Sequence, residues 1–586
     1  MKKYLFNTVI AVVGSALIVG CSPAENAGSD ASVESTPAGQ PNVLLIVADD
    51  LGYSDLGAFG GEIDTPNLDA LAMSGVRMTN FYAMPNCSPT RSMLLTGKDN
   101  HVAGMGAMAE AMPTAFPFLL GRPGYEGYLR PETTTIAEKF SEAGYRTMMT
   151  GKWHLGDKPE HQPSEHGFDK SFVLLGGGGD HFGYGQNGNP ALEPVEYTQD
   201  GKPAIYPVGT YSSDFYAEQM IDYLGPNGTE NRPFFAYLAF TAPHWPLQAP
   251  QDLIAKYEGR YNAGPEVLRN ERLARMKELG LIDTSVSAAD LAPLGDWSAM
   301  DEDQRAIQAR KMEIYAAMVD SLDQNVGKVL EHLRATGEYD NTIIIFMSDN
   351  GAEGIPQGPL IGRSSNSTLP ENKAQVMATI SAGNVDFAKM GTKDSFLTYE
   401  SGWAQAAMAP FRDYKGYTDD GGIRVPAFVS GPGINGQRIT DSLLSVRDIM
   451  PTTLDLSDIE YDASLTTPSV SKNGVNAPTA KSWVPILSGQ SDSVRSVDDA
   501  MAWELHMKRA VRMGDWKAVY EKDDPARERD PKAPSSWKLF NLETDPGESN
   551  NVRDENPEVF ERLMTAWDIY AEENGVFVPG PKPAAQ

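Results

Sequence analysis

The chain has 586 residues, 41% of them hydrophobic and 22% charged, a balance that excludes collagen-like, coiled-coil and wholly disordered classes. Acids number 79 against 49 bases, a formal net charge of −30. That excess repels phosphate backbones and argues against nucleic acid as a partner, and two cysteines, Cys21 and Cys87, build no disulfide framework.

Lys2 and Lys3 precede an apolar stretch, Leu5 to Gly20, that is short for a membrane span and reads as an export signal. Its end, Leu17-Ile18-Val19-Gly20-Cys21, resembles the bacterial lipoprotein cleavage box, in which the cysteine becomes the lipidated first residue. A plain secretory signal cut nearby, or a Cys21–Cys87 disulfide, is the alternative. Residues 21–40 hold no aromatic residue and much Ser, Ala, Pro and Gly, the composition of a tether rather than a folded segment. The expectation is a signal over residues 1–20, a lipid at Cys21, a tether to residue 40, and a periplasmic or surface protein anchored in the outer membrane, to which Ser22 would direct it.

From Pro41 onward, strand-like runs alternate with amphipathic helical segments, the pattern of a mostly parallel sheet flanked by helices. Val43 to Ala48 is a buried-strand run, Glu132 to Ala143 reads as a helix stopped by Gly144, and Arg146 to Thr150 and Phe234 to Phe240 read as strands. Ile314, Met318, Leu322, Val326, Val329 and Leu333 share one helical face that ends at Gly337. Thr342 to Met347 follows as another strand. Leu465 to Val475 reads as a connecting loop. Beyond it, four short strands (Ala500 to Leu505, Arg509 to Met513, Trp516 to Tyr520, Trp537 to Phe540) and a helix from Pro557 to Ala571 predict a small antiparallel sheet with one helix. The expected division is a main α/β domain over residues 41–492 and an α+β subdomain over 493–586.

In open α/β sheets, ligands bind beyond the carboxyl ends of the strands. Four such ends carry useful chemistry: Asp49 and Asp50; Lys152 and His154; His244; Asp349 and Asn350. Singly, these residues read as turn or cap residues or hydrogen-bonded histidines; together they predict one site. Asp49, Asp50, Asp349 and Asn350 form a hard-oxygen set suited to Ca²⁺ or Mg²⁺, and a cation would relieve their mutual repulsion.

Cys87-Ser88-Pro89-Thr90-Arg91 opens a helical stretch closed by Gly97. A cysteine at a helix start with Arg91 one turn on reads either as a nucleophile of lowered pKa or as a packing residue. Here the residues resemble a known family: Cys-x-Pro-x-Arg is the maturation signature of type I sulfatases, in which the cysteine becomes formylglycine. Val47 to Gly52, Pro89 to Gly97, Gly151 to Gly156, Met347 to Gly351 and Gly421 to Pro426 resemble other blocks of that family, and Ala242 to Pro250 resembles bacterial arylsulfatases most. Asp419-Asp420 stands where many members have a glutamate.

The resemblance implies an alkaline-phosphatase-like fold, a formylglycine-generating enzyme as maturation partner, and sulfate monoesters, small or carbohydrate, as substrates. It implies a hydrated formylglycine at position 87, bound to the cation, that attacks sulfur with help from Asp349. His154 would take the second hydroxyl's proton to release sulfate. Arg91 and Lys152 would hold the hydrate, while His244 and Lys415 would bind sulfate and protonate the leaving oxygen. Tyr184, His181 and Trp403 are the candidates for the outer pocket.

Overall fold

The protein is described by a computed structural model over residues 39–184, 195–226, 232–289, 297–356, 381–521 and 536–578. The expected signal, the lipidation site at Cys21 and nearly all of the tether lie outside the described residues.

The first apolar run forms β1 (Asn42–Ala48), buried at every position. Leu44, Ile46 and Ala48 enter one hydrophobic core, and Val43, Leu45 and Val47 enter another. Both faces of the strand are therefore covered, which explains why its sequence is apolar without alternation. The other strands of this sheet are β2 (Val76–Met78), β3 (Arg146–Lys152), β4 (Lys170–Leu174), β5 (Tyr197–Gln199), β6 (Lys202–Ala204), β7 (Phe234–Ala239), β8 (Thr342–Ser348), β9 (Ala427–Ser430) and β10 (Arg438–Thr440). They lie in the order β10-β2-β9-β8-β1-β7-β3-β4-β5-β6. The central five, β8-β1-β7-β3-β4, are mutually parallel. Antiparallel pairs occur only toward the edges, at β9 with β8 and β2, β4 with β5, and β5 with β6. The sheet is thus mixed and mostly parallel at its centre.

Two helices matter for the site. The first, α1 (Cys87–Thr96), is stopped by Gly97 in the left-handed region at φ 64°. The 35-residue α2 (Glu302–Thr336) begins with an Asp301–Gln304 capping box and ends at Gly337, φ 74°. The six apolar residues read as one face are fully buried in it. The helix expected from Glu132 is shorter, Ile136–Glu142, because Thr135 and Glu138 form a capping box that sets its start inside the predicted segment.

The tail forms β11 (Ala500–Leu505), β12 (Lys508–Met513), β13 (Trp516–Glu521) and β14 (Ser536–Asn541), an antiparallel sheet, followed by α3 (Pro557–Glu573). Met501, Trp503, Ala510, Val519 and Phe540 pack into the core that also holds Val43 and Leu45 of β1. The opposite face meets Leu563, Ala566 and Tyr570 of α3. Within the expected connecting loop, Ser471–Lys472 instead pairs with Val475–Asn476 as a two-rung hairpin.

Candidate active site

The four strands whose ends were singled out are neighbours, β8-β1-β7-β3, all running the same way. Their carboxyl ends therefore share one sheet edge. Ala48 is level with Ser348, and Val47 with Ala239, which in turn is level with Gly151. Backbone bonds fasten the loops above: Asp49 N–H donates to Ala242 O at 3.1 Å, and Asp349 N–H to Ala48 O at 3.1 Å. Asp50 and His154 take left-handed backbone conformations, φ 68° and 58°, as the chain leaves the sheet.

Cys87 is the first residue of α1 and is 1% exposed. Its Sγ lies 3.4 Å from Asp49 Oδ1 and 3.9 Å from Asp50 Oδ1. Asp49, Asp50, Cys87 and His244 each present a potential ligand atom within 4.8 Å of the others. Asn350 Nδ2 donates to Asp50 Oδ1 at 2.7 Å, and Asp50 N–H to Asp349 Oδ1 at 3.2 Å. The five expected cation-binding residues are thus brought together. Asn350 Oδ1 is enclosed without a hydrogen-bond partner among the described residues. That orphaned amide oxygen, beside three buried carboxylates, fits a hard divalent cation.

Cations of the protein surround the carboxylates. Lys152 Nζ reaches both Asp49 oxygens at 2.7 and 3.0 Å. Lys415 Nζ lies 2.8 Å from Asp50 Oδ1 and 3.2 Å from Glu353 Oε2. Arg91 donates through Nη2 and Nε to Asp349 Oδ2 at 2.7 and 3.0 Å, and through Nη1 to the Lys152 carbonyl at 2.8 Å. Burial pushes the Asp50 carboxyl up, and the neighbouring carboxylates add to this against the pull of Lys415. Burial would raise Asp49 too, but Lys152, His244 and Arg91 hold it low. Burial alone would lower Lys415, yet Asp50 keeps it charged.

The histidines differ in setting. His244 Nδ1–H donates to Trp245 O at 2.7 Å, leaving Nε2 3.6 Å from Asp50 Oδ2. Burial, then Lys415, drives its pKa well down. His154 Nε2 lies 3.3 Å from Glu110 Oε1, and burial lowers its pKa as well.

The reading of Cys87 as an acidified thiol is corrected. Burial pushes this thiol up, with Asp349 and Asp49 adding to that effect against Lys152 and Lys415, so the helix start alone makes no thiolate. Trp403 does not line a pocket; it is fully buried, with Trp297 and Tyr261 rings 5.7 and 5.9 Å away. His181 acts as a brace, its Nε2 bonding the His244 carbonyl at 2.8 Å and its Nδ1 Ser212 Oγ at 2.7 Å. Tyr184 is partly buried with the Lys393 ammonium 5.6 Å from its ring centre. Glu110 and Glu353 were missed because both lie on loops without periodicity. Asp420 accepts from Lys517 Nζ and Tyr82 OH, a structural anchor rather than part of the site.

Comparison with known proteins agrees with this arrangement. The chain is 42% identical over 549 residues to an uncharacterized sulfatase of Schizosaccharomyces pombe, covering 92% of this chain and 94% of that one. It is 40% identical over 433 residues to an arylsulfatase of Klebsiella aerogenes, covering 73% and 88%. The solved structure of Ps i-CgsB shares the fold at 24% identity, TM-score 0.62, covering 91% and 93%. The sulfatase family model matches residues 41–459, and with it the chain belongs to the sulfatase family of sulfuric ester hydrolases.

Proposed function

We propose that this protein hydrolyses sulfate monoesters through a formylglycine made from Cys87, with Ca²⁺ or Mg²⁺ held by Asp49, Asp50, Asp349, Asn350 and residue 87. The seat of Cys87 carries the reading: a sealed helix start, 3.4 Å from Asp49, ringed by buried acids and bases. A bound cation would neutralise the carboxylates and supply positive charge against the sulfate oxygens. Arg91 and Lys152, whose carboxylate partners keep them protonated against burial, orient the aldehyde hydrate. One hydroxyl gives its proton to Asp349, and its oxygen bonds to sulfur as the ester S–O bond breaks. Lys415 and His244 face the sulfate, and charged Lys415 donates a proton to the departing oxygen. The second hydroxyl then yields its proton to His154 and sulfate departs, so no water need attack sulfur.

The 40% identity to an arylsulfatase over 88% of that chain supports aryl sulfates as first substrates. The charge of −30 also disfavours heavily sulfated polymers at a distance. The N-terminal pattern supports an exported, lipid-anchored enzyme, and the Cys87-to-Arg91 signature supports a formylglycine-generating enzyme as its maturation partner. The test is the mass of the tryptic peptide ending at Arg91, from protein made in its own host, alongside turnover of 4-nitrophenyl sulfate and 4-nitrophenyl phosphate. An aldehyde in place of the thiol and faster sulfate turnover are expected. A fully active enzyme with an intact thiol, or dominant phosphate turnover, overturns the reading.

A further inference from the structure

Both ring nitrogens of His154, Nδ1 and Nε2, are enclosed, and among the described residues neither has a hydrogen-bond partner. On one side of the ring, Glu110 Oε1 stands 3.3 Å from Nε2. Gly177 lies against that same edge. A Cβ built on Gly177 would lie 2.8 Å from His154 Cε1, 2.9 Å from Nε2 and 3.4 Å from Glu110 Oε1. Bare backbone and one carboxylate therefore close the Nε2 side, and any side chain at 177 would push the ring or displace the acid. Glu110 itself is half exposed, 54%, against 8% for the His154 side chain, so it stands at the rim and reaches inward.

A neutral imidazole carries one proton, and a carboxylate against one nitrogen selects the tautomer that carries it there. We propose that Glu110 is the positioning residue for His154: its carboxylate, the acceptor standing 3.3 Å from Nε2, draws the ring proton to that nitrogen and leaves Nδ1 as the proton-accepting nitrogen for sulfate release. This rests on the formylglycine reading above. In that step the O–H proton of the sulfated hydrate passes to Nδ1, and the O–H electron pair becomes the C=O bond. The carbon–oxygen bond to the sulfate group breaks, and sulfate leaves with that electron pair. Glu110 touches neither substrate nor residue 87 in this scheme; it fixes which nitrogen holds the lone pair and stops the ring from turning.

The experiment compares wild type, E110A, E110Q and H154A, each carrying formylglycine, with 4-nitrophenyl sulfate as the probe. E110A is expected to lose roughly tenfold to a hundredfold in kcat, with KM falling in step so that kcat/KM changes little. It should release a rapid burst of nitrophenol equal to the enzyme present, and intact-protein mass should show one added SO₃. E110Q, whose amide oxygen still accepts the Nε2–H, should recover much of the rate. Unchanged kcat in E110A, or a loss with a fallen melting temperature and no covalent adduct, overturns the role of Glu110. H154A separates the two readings: if it too accumulates no adduct, the two-step scheme fails, whereas an adduct in H154A but not in E110A condemns the positioning role alone.

Discussion

Asp50 and His154 hold positive φ although neither is glycine, a conformation that costs of order 1–3 kcal/mol and persists only where the surroundings enforce it. Both stand where a parallel strand gives way to a loop, and the turn aims each side chain back over the sheet edge. Asparagine tolerates this region well, so His154→Asn should leave the melting temperature within about 2 °C while lowering kcat about a hundredfold or more. Calorimetry and steady-state kinetics on one preparation check both halves. A second expectation concerns the carboxylates: removing the cation with a chelator should inactivate the enzyme and lower its melting temperature. The loss should be about 3–4 kcal/mol relative to protein held at a hundred to a thousand times the cation Kd. Most of these residues were legible in the sequence because acids, amides and histidines followed apolar strand runs. Lys415 was not: its ion pair with Asp50 joins positions 365 residues apart, and only family resemblance pointed to it.

The strands explain how such distant positions meet. Gly151 lies in β3 at φ 108°, and a Cβ there would stand 1.7 Å from the Ala239 carbonyl oxygen of β7. Only glycine lets these two strands remain paired up to Lys152. Read from the sequence, a glycine after Thr150 looked like the end of the strand, whereas it is the residue that allows the strand to continue. Gly151→Ala should therefore destabilise the protein by at least about 3 kcal/mol, from strained backbone and the clash together. A fall in the denaturant midpoint measures it, and an alanine variant as stable as wild type would contradict the close approach. The strand runs and the long helix were legible because their periodicity is strong. The helix starting at Ile136 was overrun because its Thr135 cap was not recognised as a start.

At the scale of the molecule, buried charge ties the tail to the main sheet. His101 sits between Asp99 Oδ1 and Glu504 Oε2 of β11, both at 2.9 Å, and Lys517 of β13 bridges Asp420 and Glu548. Burial alone would lower the His101 pKa, but bonds to Asp99 and Glu504 push it up to about 9. Its folded pKa thus lies above the ordinary value of about 6.5. The stabilisation is complete below that ordinary value and is lost as pH rises through about 9. Thermal melts of wild type should decline across this window by an amount equivalent to roughly 3 kcal/mol, and His101→Gln should start lower and decline less. The small sheet and its helix could be read from alternating residues and turns. That they share a core with β1 could not, since nothing local in Met501 or Trp503 names its distant neighbours.

The seclusion of Cys87 sets an order of events in the life of the chain. In the folded chain the Cys87 sulfur is 1% exposed, so under the formylglycine reading proposed above its conversion would precede the seating of α1. Under that reading, chains that fold first would keep the thiol. Copies made in a host without the maturation machinery would then be well-shaped but inert, and adding that machinery to the finished product would not revive them.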